Sequence, residues 1–312
     1  FAEDVRQGLL MHPKRIASKY FYDEQGSKIF QAIMKLPEYY PTSCEFEVLT
    51  TSKQALLEAF GSGGQRFNLI EFGAGDGLKT KILLQHFTNE QAPFQYSPID
   101  ISKDALEGLT TALGKEIPQL QVTTLHMDYF KGLAWLKANQ KMPKVVLFLG
   151  SNIGNFNDAQ SVDFLGAIGQ YLNPEDLLLV GFDLQKNPKV ILDAYNDASG
   201  VTKAFNMNLL TRINRELGAD FDLSKFDHYP TYDPLTGEAK SFLVSLANQQ
   251  VSLKALDMMV SFNNGEAIHT EISRKFSLEQ VESLARRAGF RVRQHFFDCK
   301  HYYVDSLWQP DR

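Results

Sequence analysis

Cysteine is scarce. Cys44 and Cys299 are the only two in 312 residues, too few and too far apart for a disulfide framework, so a reducing, cytoplasmic setting is expected. No apolar stretch approaches the ~20 residues that cross a bilayer. Phe1-Ala2-Glu3-Asp4 does not read as a secretory signal, and a chain that opens on Phe is expected to lack its natural start. The net charge of −5 carries no run of like charges, so neither a nucleic acid nor a membrane surface is an expected partner. The seven histidines have no ligand-like spacing to one another or to cysteine, and no metal is expected. There is no internal repeat and no low-complexity segment. What remains is an ordinary globular composition, 44% hydrophobic and 22% charged, in a chain long enough for one large domain or two intertwined ones. A monomer is expected.

One stretch organises the rest: Asn68-Leu69-Ile70-Glu71-Phe72-Gly73-Ala74-Gly75-Asp76-Gly77-Leu78-Lys79-Thr80. Leu69, Ile70 and Phe72 form a short apolar run that enters a turn with glycines at 73, 75 and 77. A helical pattern follows, with Leu78, Ile82, Leu83 and Phe87 on one face. Strand, glycine turn and helix make the first unit of a doubly wound α/β sheet. The glycines let a ligand approach backbone that a Cβ would shield. The spacing is E-x-G-x-G-x-G from Glu71, not the dinucleotide G-x-G-x-x-G. It resembles motif I of class I S-adenosylmethionine (AdoMet) methyltransferases. Taken alone, such a turn is equally well a structural turn or a site for another nucleotide.

From 66 to 185 strands and helices alternate. Strands are expected at 95–99, 121–125, 144–149 and 177–182. They are apolar enough for burial on both faces of a parallel sheet, with polar residues at their carboxyl ends, where open α/β sheets bind ligands. Asp100, at the tip of the second strand, stands where a ribose diol is held; it would equally cap the helix from Lys103. After Leu184 the pattern breaks into helices over 188–217. Three β segments follow, at 239–246, 251–262 and 267–276, expected as an antiparallel insertion packed over the ligand edge of the sheet. Ser277 and Gln280 then form a capping box for a helix to Arg287, Gly289 stops it, and strands at 290–297 and 302–308 close the chain. The expected domains are therefore 45–185 with 276–312, and 1–44 with 186–275. Near the N-terminus, tyrosines in Lys19-Tyr20-Phe21-Tyr22-Asp23 and Leu36-Pro37-Glu38-Tyr39-Tyr40-Pro41-Thr42 sit beside glycine and proline. They make either a pinned surface loop or a lid that offers phenolic hydroxyls to a pocket.

In Thr270-Glu271-Ile272-Ser273 strand periodicity puts Glu271 and Ser273 on one face. A carboxylate accepts hydrogen bonds and a hydroxyl donates or accepts, so together they would suit a ring with one N–H and one bare nitrogen, as in neutral imidazole. A solvent-facing strand explains the same spacing.

Phe21-Tyr22-Asp23, Leu36 to Thr42, Leu149-Gly150-Ser151-Asn152-Ile153-Gly154-Asn155, Ala194-Tyr195-Asn196-Asp197-Ala198-Ser199-Gly200-Val201-Thr202 and Thr270 to Ser273, in that order, resemble one family over almost the whole chain. It is the histidine-specific Nα-methyltransferase family of ergothioneine biosynthesis, whose product is hercynine, Nα,Nα,Nα-trimethylhistidine. The resemblance implies a class I, Rossmann-like α/β sheet with a second, α+β substrate-binding domain, AdoMet as methyl donor, and S-adenosylhomocysteine as by-product. By it, Tyr39, Asn155 and Tyr195 would hold the α-amino and α-carboxylate groups of histidine, with Tyr39 and Asn155 orienting the amine for reaction and Tyr22 nearby. Glu271 and Ser273 would hold the imidazole. Glu71, Gly73, Gly75, Lys79, Asp100, Asp128 and Tyr129 would line the AdoMet site. Ser241 departs from the pattern, standing where methionine is expected against the imidazole, and would leave a wider or wetter pocket. The alternatives are an Nα-methyltransferase for another amino acid such as tryptophan, a nicotinamide-dependent oxidoreductase, and a non-catalytic AdoMet-binding module.

Overall fold

A computed structural model of the chain describes residues 1–61 and 64–311. In chain order the elements are α1 (Ala2–Leu10), β1 (Lys14–Arg15), α2 (Glu24–Ile33), α3 (Tyr40–Phe60), β2 (Phe67–Phe72), α4 (Thr80–Asn89), β3 (Phe94–Asp100) and α5 (Lys103–Glu116). Then come β4 (Leu125–His126), α6 (Tyr129–Asn139), β5 (Lys144–Phe148), α7 (Asp158–Gly169), β6 (Leu177–Asp183), α8 (Pro188–Ala194) and α9 (Val201–Leu217). The chain ends with β7 (Phe226–Asp233), β8 (Glu238–Ser245), β9 (Gln249–Leu253), β10 (Met258–Phe262), β11 (Ala267–Arg274), α10 (Leu278–Arg287), β12 (Phe290–Phe297) and β13 (Tyr303–Pro310). Two units form, one from Phe1–Thr42 and Gln185–Lys275, the other from Ser43–Leu184 and Phe276–Arg312. Among the described residues no helix is long and apolar enough to cross a membrane.

The second unit holds a seven-stranded sheet in the order β12-β13-β6-β5-β2-β3-β4. β2 to β6 are parallel, and β13 enters antiparallel between β6 and β12, the closing pair expected from the sequence. Every position of β2 and β5 is buried, as suits their largely apolar runs. The polar residues inside are matched: the Ser97 hydroxyl donates to Asn68 Oδ1 at 2.8 Å, and Lys144 meets Asp176 at 2.7 Å. The strand expected at 121–125 is shorter, reduced to β4 and an isolated bridge from Val122 to Tyr96. Tyr96 hydrogen-bonds to Gln121 and Thr123, but the next rung on that side falls at Pro98, which has no N–H to give.

In the first unit β1-β11-β8-β7 make a separate four-stranded sheet, and β9 and β10 a hairpin. Its core sets Phe205, Leu209, Leu210, Ile213 and Leu217 of α9 against Leu243 of β8 and Ile268 of β11. Two expectations need correction. The segment expected as one strand over 251–262 is two, because Asp257 adopts a left-handed φ of 46° and turns the chain back. β7 was not foreseen; Pro230 argues against a central strand, and β7 is an edge.

A bulge in β11 decides which side chains face inward. Along β8, Ala239, Ser241, Leu243 and Ser245 are the buried face. Before the bulge Ile268 pairs with Leu243; after it Glu271 pairs with Ser241 and Ser273 with Ala239, the register slipping between His269 and Glu271. Strict alternation from Ile268 would turn Glu271 and Ser273 to the other face. The extra residue puts them on the inner one.

Helix α10 shows how local sequence fixes a boundary in the second unit. Ser277 Oγ accepts from Gln280 N at 3.3 Å and Gln280 Oε1 accepts from Ser277 N at 3.0 Å, the predicted capping box. Gly289, at φ 82°, follows its end. Ser277→Ala should cost roughly 0.5–2 kcal/mol of stability. Hydrogen exchange should accelerate selectively in the first turn of α10; unchanged protection there would contradict the capping role.

Candidate active site

The chemistry-bearing residues form one set in each unit. In the second, β2 runs into Gly73, Gly75 and Gly77, with φ of 63°, 55° and 65°. A Cβ on Gly73 would lie 2.8 Å from the Tyr129 hydroxyl, whereas the nearest atom to one on Gly75 is the Gly73 carbonyl oxygen at 4.0 Å, so backbone is open to approach there. Tyr129 stacks on Phe72, ring centroids 4.5 Å apart and 5° from parallel. Burial, then the charges of Asp100 and Glu71, push its hydroxyl up to about 12. Asp100 ends β3 and spends one oxygen, Oδ1, on Ser102 N at 2.8 Å. The cap of α5 is Ser102, which accepts from Ala105 N at 3.3 Å, so the capping role considered for Asp100 belongs to its neighbour. Asp128 is the N-cap of α6, accepting from Lys131 N at 3.0 Å. Gly73, Asp100 and Tyr129 thus come together at the carboxyl ends of β2, β3 and β4.

Glu71 and Lys79 are differently employed. Glu71 is 6% exposed, and its two oxygens accept from the Thr80 and Tyr96 hydroxyls, which pins the start of α4 to β2 and β3. Burial raises its pKa to about 7 even with those donors. Lys79 Nζ pairs with Glu45, a residue that the sequence reading did not single out. Glu45 is fully buried and also accepts from Gly150 N at 2.6 Å and the Tyr303 hydroxyl at 2.7 Å. It thereby fixes the turn after β5 that leads to Asn155. Burial works against the Lys79 ammonium, yet Glu45, Asp305 and Glu71 hold its pKa above the ordinary value. Asp305 is buried with neither oxygen hydrogen-bonded among the described residues. Burial and then the neighbouring Glu45 charge push its pKa well up. Tyr303, Glu45 and Asp305 all crowd the space where a Cβ on Gly181 would sit, at 2.5, 2.7 and 3.2 Å. Asn155 ends a 3-10 turn over Asn152–Asn155 that starts from Ser151 in a left-handed conformation, φ 53°. Its side chain is exposed and makes no hydrogen bond among the described residues.

In the first unit Glu271 is the centre. Its carboxylate has one hydrogen bond among the described residues, from the Ser241 hydroxyl at 3.3 Å. Burial raises its pKa to about 7, with Lys275 and Ser241 pulling the other way. Ser241 is fully buried, so the serine that departs from the family pattern touches the carboxylate directly. Ser273 lies two residues on, 7% exposed. Lys275, 1% exposed and also unforeseen, donates from Nζ to Ser273 Oγ at 2.9 Å and to Tyr195 Oη at 2.7 Å. Tyr195 follows α8, in a connection anchored by Asp197, which accepts from Val201 N, Thr202 N and the Ser199 hydroxyl. Although burial opposes it, those bonds lower Asp197 to about 2. Tyr22 and Tyr39 are set in an aromatic cluster: Phe30 meets Tyr22 at 5.4 Å and Tyr39 at 6.1 Å edge-on, and Phe205 meets Tyr22 at 5.5 Å. The Tyr22 hydroxyl has its pKa raised by burial, then by Glu271 and Tyr195, although the ring stays half-exposed. Asp23 holds the Tyr22 segment, capping α2 through Gly26 N and accepting from Asn208 at 2.9 Å and Arg215 at 2.7 Å. Of the two readings of the N-terminal tyrosines, these contacts show the pinned loop.

A family model described as histidine-specific, SAM-dependent methyltransferase matches residues 1–310. The chain belongs to that family. It is 38% identical over 288 residues to a histidine N-alpha-methyltransferase of Mycolicibacterium smegmatis, spanning 92% of this chain and 88% of that protein. It is 31% identical over 283 residues to ergothioneine biosynthesis protein 1 of Neurospora crassa, covering 89% of this chain and 31% of that longer protein. A more distant relative, 26% identical over 324 residues, with 96% and 90% covered, is an L-tryptophan methyltransferase of Psilocybe serbica. The enzyme is thus an AdoMet-dependent methyltransferase on the α/β sheet that its motifs foretold.

Two unforeseen residues carried a signal in the sequence. Glu45 shares its helix face with buried Val48 and Leu49, three and four residues on. Lys275 continues the alternation of Glu271 and Ser273. Asp305 yields a test. Its raised pKa means that its contribution to stability is fully present below the unfolded value of roughly 3.9 and is lost as pH rises through the folded value. Asp305→Asn, which mimics the protonated acid, should melt close to wild type near pH 4 and increasingly above it as the pH rises from there. Parallel melting-temperature profiles for the two proteins would show that Asp305 is not held protonated.

Proposed function

We propose that this enzyme methylates the α-amino group of L-histidine three times, forming hercynine for ergothioneine biosynthesis, and that Glu271 reads the imidazole. The observation that carries the reading is the state of Glu271. It is a half-buried carboxylate with one long hydrogen bond, on the same strand face as Ser273 and among the tyrosines at 22 and 195. An acceptor so poorly supplied, once a ligand shuts water out, is costly unless that ligand brings a donor. An imidazole N–H would supply it, and Ser273 would serve the other nitrogen.

The unit from Ser43–Leu184 and Phe276–Arg312 is assigned to the cofactor, and that from Phe1–Thr42 and Gln185–Lys275 to the amino acid. Gly73 and Gly75 would lie against AdoMet, Asp100 would accept from its ribose hydroxyls, and Asp128 and Tyr129 would flank its base. The turn fits such a ligand, because positive-φ glycines leave the backbone bare at Gly75 and Asp100 retains an oxygen. Glu71 acts from behind, by holding α4, and Lys79 by its pairing with Glu45. AdoMet supplies an electrophilic methyl group on a sulfonium, a good leaving group. What the protein contributes is proximity and orientation. Tyr39, Asn155 and Tyr195 are assigned by family resemblance to the substrate's α-amino and α-carboxylate groups, Tyr39 and Asn155 turning the amine lone pair toward the methyl, with Tyr22 alongside. A free α-amine has a pKa of roughly 7.7–8.0, so a useful fraction is neutral near physiological pH without a dedicated base.

Two measurements test the assignment. Asp100→Ala should weaken AdoMet binding by roughly 1–3 kcal/mol, since it strips an acceptor from the ribose hydroxyls; unaltered affinity by calorimetry would remove Asp100 from the site. Glu271→Ala should depress methylation of histidine far more than AdoMet binding, and should relax discrimination against phenylalanine, whose ring brings no donor, because a site built to bond a polar group rejects what lacks it. Competition between the two amino acids, with products read by mass, decides this. A mutant that keeps the wild-type preference would mean that Glu271 does not read the ring.

A further inference from the structure

We propose that Lys275 is a positioning residue that fixes the Ser273 hydroxyl as a donor toward the bare nitrogen of the substrate ring. This rests on the histidine reading above and extends it to a residue that touches no part of the substrate. Lys275 is buried, and its Nζ lies 2.9 Å from Ser273 Oγ, 2.7 Å from Tyr195 Oη and 4.8 Å from the centre of the Tyr195 ring. An ammonium has three donors and no acceptor. Both hydroxyls must therefore accept from it, and neither can aim its own proton back along that bond.

For Ser273 this removes an ambiguity. A serine hydroxyl can give or take, and a pocket with an undecided hydroxyl beside Glu271 would tolerate rings with two donors, one, or a carbon in place of nitrogen. With one lone pair given to Lys275, the Ser273 proton points elsewhere. Glu271, on the same inner face and an acceptor when ionised, supplies the opposite polarity. The pair then presents one acceptor and one donor, the complement of neutral imidazole. The Lys275 charge also reinforces the Glu271 carboxylate, pulling its pKa down against burial. Tyr195 receives the same treatment, its oxygen accepting from Lys275, so one buried cation sets the polarity of two residues assigned to the substrate.

The experiment compares kcat/KM for L-histidine with that for a pyrrolylalanine that keeps the ring N–H and has C–H where histidine has its bare nitrogen. Wild type, Lys275→Met, Lys275→Gln and Ser273→Ala are assayed at saturating AdoMet. Wild type should prefer histidine, and Lys275→Met should shrink that preference by about tenfold, as expected for an oriented hydrogen bond lost from a buried site. Ser273→Ala should shrink it by a similar factor. Lys275→Gln, which retains N–H donors, should restore part of it, and carries the test if the Met variant does not fold. AdoMet affinity should be the same throughout. A Lys275 variant that loses activity on both substrates equally, keeping the wild-type ratio, overturns the proposal and leaves Lys275 a structural residue. If wild type itself does not methylate histidine, the function reading falls and this inference with it; if it does and the ratio is insensitive to Lys275, the inference alone falls.

Discussion

A carboxylate withdrawn from water must be given donors or keep its proton, and three glutamates, Glu45 and Glu71 buried and Glu271 half-buried, meet that constraint differently. Glu45 receives three, from Lys79, Gly150 N and the Tyr303 hydroxyl. Glu71 receives two hydroxyls. Both are thereby structural: Glu71 ties the helix after the glycine turn to two strands, and Glu45 ties that helix's lysine to the turn after β5. Glu271 receives one long bond from Ser241. The same requirement that makes the first two into fasteners suits the third to the reading role proposed for it, since an acceptor left short of donors favours whatever brings an N–H.

The inward placement of Glu271 and Ser273 rests on one irregularity. A strand continuing in phase from Ile268 would have aimed Glu271 and Ser273 away from the face that carries Leu243 and Ser241. The bulge after His269 restores them to it, and Thr270, the residue at the slip, is itself secured by hydrogen bonds to Asn206 and the Ser241 carbonyl. A bulge costs a ladder rung and gains a new direction for the following side chains. Here that direction brings Glu271, Ser273 and Lys275 to the side of the sheet where Tyr195 is bonded.

Much of this was readable from local sequence, for reasons that differ by element. The glycine turn and the α10 capping box depend on contacts within a few residues, so spacing alone announces them, and the buried strands are announced by their apolar composition. The shortening of the strand at 121–125 was hidden because its cause, the missing N–H of Pro98, lies on the neighbouring strand. β7 was missed because Pro230 is tolerated at an edge, and edge position is a property of the assembled sheet. The pairing of Glu271 with Ser273 followed from period-two alternation, but which face they occupied depended on a register slip that alternation cannot express. Glu45 was passed over although its helix face is apolar. Its partners lie up to 258 positions away, and a lone acid on such a face does not name them.

The distribution of charge fits the chemistry that the family performs. A sulfonium leaving group needs no general acid, and in the proposed third transfer a tertiary amine has no proton to lose, so a strong base in contact with the substrate would add little. The residues assigned to the amine and carboxylate are accordingly neutral: phenols and an amide. Neutral groups of this kind, however, have no fixed polarity, since a hydroxyl that donates in one rotamer accepts in another. Orientation then has to come from neighbours that can play one part only. Lys275, a pure donor behind Ser273 and Tyr195, is such a neighbour. On the proposed assignment that buried charge stands behind the hydroxyls it orients and settles which way they point without itself competing for the methyl group.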